Sequence, residues 1–132
     1  MNTPLLIANT LTLLAFFIHT FMGDRELKII QPSAGTEDWS AKQEKWTMVR
    51  CGWHWISFDL LFASIGLALI NFTDVFDNEK TLFQILSFYF LGYSIAWAFT
   101  ILISKQFSKN YLKLGQWILL FIISGLIYYG TI

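Results

Sequence analysis

Four apolar runs dominate this chain, at about residues 4–22, 48–70, 82–104 and 112–129. Each approaches the roughly 20 apolar residues that a helix needs to cross a bilayer. The hydrocarbon layer offers no water to backbone N–H and C=O groups, so a crossing segment must satisfy its own hydrogen bonds, as a helix does. The runs predict an all-α protein, an integral membrane four-helix bundle folded as one domain over residues 1–132. The composition agrees. Of the 132 residues, 55% are hydrophobic and 14% charged, against about 25% charged in soluble domains. The first run has no basic leader and ends in Phe21-Met22-Gly23-Asp24. It therefore reads as a retained span and not as a cleaved signal peptide.

Charge excludes some functions and sets an orientation. Nine Lys and Arg balance nine Asp and Glu, which leaves no net positive charge for binding nucleic acid. The single cysteine, Cys51, excludes an internal disulfide and a CxxC motif. Basic residues gather around the first link (Arg25, Lys28, Lys42, Lys45, Arg50) and the third (Lys105, Lys109, Lys113), whereas the second has only Lys80. The positive-inside rule then puts links one and three in the cytoplasm and both termini outside. The expected location is a bacterial inner membrane, crossed several times.

The first link, residues 23–47, is the only long one. Pro32 and Gly35 interrupt it. Thr36 with Glu37 and Asp38 resembles a helix start, with a capping hydroxyl and acids in the first turn. A short interfacial helix is expected there, running into the second span. Trp39, Trp46 and Trp53 recur every seven residues on one helical face, a pattern suited to anchoring at the membrane surface. In the second link, Asn71-Phe72-Thr73 fits a glycosylation sequon. It abuts a span and reads as a chance match.

The candidate chemistry lies on the first two spans. His19 and His54 both fall inside apolar runs, and ionisable residues in a membrane usually mark function. Helical steps through His19 give Ala8, Thr12, Ala15, Gly23 and Glu26, a small or polar stripe suited to facing another helix. Steps through His54 give Arg50, Ser57, Leu61, Ser64 and Ala68. Both histidines fall near the cytoplasmic ends of their spans, so the two stripes could face each other. Asp59 lies five residues after His54, about 140° round the helix, and belongs to a different face.

Several sites can be built from these residues. His19 and His54, with Glu26, Asp24 or water, would suit zinc, iron or manganese. Met22, Met48 and Cys51 would turn the preference towards Cu(I). Two imidazoles on facing helices could ligate a haem. The structural alternative is a hydrogen-bonded network of His19, Glu26, Arg50 and His54, in which Arg50 pairs with Glu26. A third reading is a proton path or small transporter using Asp59 and the histidines.

The pattern His19-x3-Gly23-Asp24-x-Glu26, followed by Arg50-x2-Trp53-His54, resembles small uncharacterised bacterial four-span membrane proteins. The likeness covers the first half of the chain, and Asp24 stands where a Glu is expected. It implies an inner-membrane location and adds no activity. The expectation carried forward is a metal or haem-type cofactor bound by His19 and His54, with Glu26 as a further metal ligand. Asp24, Arg50, Ser57 and Asp59 would support that site. The first alternative is a non-catalytic subunit or packing partner of a membrane complex, and the second is the transporter. The expected partners are the lipid bilayer and a homo-oligomer or membrane complex.

Overall fold

The computed structural model describes residues 2–35, 38–77, 79–104 and 111–132. Within them every regular element is helical: α1 (Thr3–Phe17), a π-helical turn (Ile18–Gly23), α2 (Asp24–Ile29), α3 (Trp39–Phe72), α4 (Glu79–Ile103) and α5 (Gln116–Tyr129). The first three join without a break. Three helical stretches are therefore long and apolar enough to cross a membrane: Thr3–Ile29 with 27 residues, Trp39–Phe72 with 34 and Glu79–Ile103 with 25. The fourth apolar helix, α5, has 14 residues, a length of about 21 Å at 1.5 Å per residue.

Two boundaries differ from those expected. The first helix does not end at Met22 but continues to Ile29. α5 begins at Gln116, later than the expected residue 112, because residues 111–115 form turns. The early start of the second long helix is borne out, with α3 beginning at Trp39. The Thr36-Glu37 start signal and the basic residues Lys105 and Lys109 lie outside the described residues.

The chain forms two compact units. The terminal unit comprises Met1–Leu11 with Gly66–Ile132. In it α4 packs on α5 around Phe90, Ile123 and Ile127, all nearly inaccessible. Ser87 and Ser124 fasten this packing. The Ser87 hydroxyl donates to the Ser124 carbonyl at 3.0 Å, and the Ser124 hydroxyl donates back to the Ser87 carbonyl at 2.8 Å. Two turns further along α4, the Ser94 hydroxyl donates to the Trp117 carbonyl. Small hydroxyl side chains of this kind let two apolar helices approach closely.

The middle unit is Thr12–Ile65. Thr12, Leu27, Ser57, Leu60, Ala63 and Ser64 are its buried residues. Large apolar side chains cover much of the surface of both units, among them Phe21, Trp55, Phe58, Phe62, Phe88 and Phe99. Water penalises such a surface, and hydrocarbon does not.

Candidate functional site

The site lies in the middle unit, where the end of the first helical stretch bears on α3. The π turn shapes it. Turns of this kind carry one extra residue and are common at functional positions. His19 lies in this turn, and its ring stacks on Trp53 with centroids 4.0 Å apart and planes 8° from parallel. Each side chain also bonds the other's backbone. Trp53 Nε1 donates to the His19 carbonyl at 2.9 Å, and His19 Nε2 lies 3.0 Å from the Trp53 carbonyl. A carbonyl oxygen only accepts, so His19 Nε2 must carry a proton here. The same carbonyl also takes the Ser57 hydroxyl, at 3.4 Å. Gly23 makes the contact possible, because a Cβ there would overlap the Trp53 ring.

One turn on, Asp24 collects the cations. Arg50 grips it with two prongs, Nε to Oδ1 at 2.6 Å and Nη2 to Oδ2 at 2.9 Å. This fork-to-fork geometry is the strong form of an ion pair. Lys28 Nζ approaches Oδ2 at 3.3 Å from the same helix, four residues away. His54 Nε2 lies 3.2 Å from Oδ1. Arg50 also lies over the Trp46 ring, 5.4 Å from its centroid, within the range of a cation–π contact. Trp46 Nε1 donates to the Leu27 carbonyl at 3.0 Å. Trp46, Arg50, Trp53 and Ser57 thus form one stripe of α3 at helical spacing, and each contributes a bond.

Several expectations change. Arg50 pairs with Asp24 and not with Glu26, which is exposed. The cause is the π turn. Ordinary helical stepping carries the His19 stripe to Glu26, but the extra residue moves the inward position one place along, to the buried Leu27. His54 does not face the interior; its side chain is 44% exposed, at the edge of the Asp24 cluster. The described residues contain no group of three His, Cys, Asp or Glu side chains placed to hold a metal. His19, His54 and Glu26 are therefore not gathered as a ligand set. Asp59 is half-buried. Trp46 and Trp53 tie α3 to the first stretch, whereas the sequence pattern suggested that they anchor it in the membrane surface.

Sequence reasoning missed two partnerships with legible signals. Gly23 lies four residues after His19, the spacing at which a missing side chain makes room for a partner beside the imidazole. Lys28 lies four residues after Asp24, the spacing of a helical ion pair. The ring stacking of His19 on Trp53 has no such signal.

The fold and site together define an all-helical protein with membrane-capable helices and a fastened polar cluster on its first two long helices. Comparison with family models, curated proteins and solved structures finds no match to this chain.

Proposed function

We propose that this chain is a four-span protein of a bacterial inner membrane, with both termini outside, serving as a non-catalytic subunit of a membrane complex. In this reading the cluster on spans one and two is a fastening and not a reaction centre. The observation that carries the reading is that the two histidines, Trp53 and the charged groups around Asp24 are engaged with one another. His19 Nε2 donates to Trp53, the Trp53 indole donates to His19, and Asp24 takes Arg50, Lys28 and His54. A catalytic or ligating centre needs groups that converge on a common open point. The orientation rests on the eight basic residues around links one and three against one in link two.

The competing reading is a metal or haem site on the same histidines. With Nε2 of each ring facing an acceptor, ligation would have to use Nδ1 of both rings or break these bonds. Purified protein in detergent separates the readings by elemental analysis and a visible spectrum. The expected outcome is no stoichiometric metal and no Soret band, with particle mass in native mass spectrometry above that of the 15.3 kDa chain. A metal or Soret band that disappears in both His19→Ala and His54→Ala would establish the cofactor reading instead. Proton or metal flux into liposomes that depends on Asp59 would favour the transporter.

A further inference from the structure

The terminal unit carries a groove of about 400 Å³ where the end of α4 meets the turns that lead into α5. Tyr93, Trp97, Ile101 and Leu114 wall it, and the small side chain of Ala96 leaves it open. Thr100 and Ser104 add hydroxyls towards the end of α4. The Thr100 hydroxyl donates to the Ala96 carbonyl at 2.8 Å, so most of this surface suits an apolar occupant. Its length is telling. From Tyr93 to the end of α4 at Ile103 is ten residues, about 15 Å at 1.5 Å per residue. That is the depth of one leaflet, half of the roughly 30 Å of hydrocarbon in a bilayer.

Charge is confined to the end of the groove at the link between α4 and α5. Leu114 lines the groove, and the exposed Lys113 directly precedes it in the chain. Lys105 and Lys109, outside the described residues, belong to the same link. No Asp or Glu follows Glu79, so this half of the chain has no acidic side chain to neutralise them. The first link is the opposite case, since Asp24 there takes both Lys28 and Arg50. The lysines of the third link leave a positive charge for a partner to meet. At a membrane surface such a charge favours anionic headgroups.

We propose that this groove holds one acyl chain of an anionic phospholipid, with the phosphate headgroup at Lys113 and the basic link. An apolar wall over the depth of one leaflet, with cations at its end, matches the layout of such a lipid. A zwitterionic phospholipid fits the wall but gains less from the lysines. A soluble anion meets the lysines but makes no use of the wall. The proposal rests on the reading of α4 as a span and not on the fastening around His19. A metal or Soret band would therefore end the subunit reading and leave this one standing.

Native mass spectrometry of the full chain, delipidated in detergent, tests it. The probes are phosphatidylglycerol and phosphatidylcholine with the same acyl chains. Phosphatidylglycerol should bind about tenfold more tightly, since several basic residues act on its headgroup. Lys113→Gln should weaken it about fivefold, the factor carried by one basic residue at an anionic surface, and leave phosphatidylcholine unchanged. Lys80→Gln, at the other end of α4, should change neither. Ala96→Phe fills the groove and should lose both lipids. Equal binding of the two lipids, a loss in Lys80→Gln as large as in Lys113→Gln, or undiminished binding in Ala96→Phe would overturn the proposal. If Ala96→Phe does not fold, the comparison of Lys113→Gln with Lys80→Gln decides.

Discussion

The two units fasten their helices by the same device and with different chemistry. In the terminal unit, Ser87 and Ser124 exchange hydroxyl-to-carbonyl bonds. In the middle unit, His19 and Trp53 exchange ring-to-carbonyl bonds. The serine pair is neutral, small and buried, so it suits the interior of two tightly packed apolar helices. The histidine pair is large, needs a glycine opposite it, and adjoins an ion pair on Asp24. The contrast teaches that a reciprocal side-chain-to-backbone exchange is compatible with either dispersion packing or charge. What differs is how much each fastening should cost to remove, and how strongly salt should affect it.

Trp53→Ala should open the comparison widest. It removes the ring stack, the indole donor and the packing on Gly23, and aromatic truncations in packed sites cost about 3–5 kcal/mol. Unfolding in mixed detergent, followed by circular dichroism, should show a loss well above that of any serine variant. An equal loss would mean that the stack contributes little. Gly23→Ala should come next, because the new Cβ overlaps the Trp53 ring and overpacking costs about 1–3 kcal/mol. If its melting temperature matches that of the parent, the close approach of Trp53 to Gly23 is wrong.

Asp24→Asn should destabilise the middle unit by leaving Arg50 without its carboxylate. Its diagnostic is salt. The parent should lose more stability than the variant as ionic strength rises, and only modestly, because Asp24 and Arg50 are part-buried and screened less than surface charges. The same salt dependence in both proteins would remove Asp24 from the centre of the cluster. Ser87→Ala and Ser124→Ala should each cost about 0.6 kcal/mol, the average for hydrogen bonds between membrane helices, with coupling between them in a double-mutant cycle. Their stability loss should not change with salt. Smallest of all is Glu26→Gln, expected within about 0.5 kcal/mol of the parent as an exposed surface change. A large effect there would restore Glu26 as the partner of Arg50.

Much of the helical layout is legible in the sequence, because partition between water and hydrocarbon acts on each segment separately. The long α3 follows from the absence of Gly and Pro from Glu37 to Cys51, and from the apolar run that begins at Met48. The site is legible only in part. Asp24, Arg50 and His54 all read as supporting or core residues, and the structure joins them. The ring stacking of His19 on Trp53 is not legible in the sequence. The recurring tryptophans fit the membrane surface as well as a neighbouring helix, and no local rule separates the two. Asn71 reads in the sequence as part of a sequon, whereas its side chain accepts the Asn2 backbone N–H.

The sequence by itself determined that the chain is helical, that it carries four apolar runs near the length of a membrane crossing, and that ionisable groups lie at their margins. Those properties depend on each residue's own hydration and on spacing within one helix. Only the tertiary structure decided that Asp24 and not Glu26 receives Arg50, and that His19 Nε2 faces a carbonyl. The first accompanies the extra residue of the π-helical turn Ile18–Gly23. It shifts the register of everything after it without changing the hydropathy of the run.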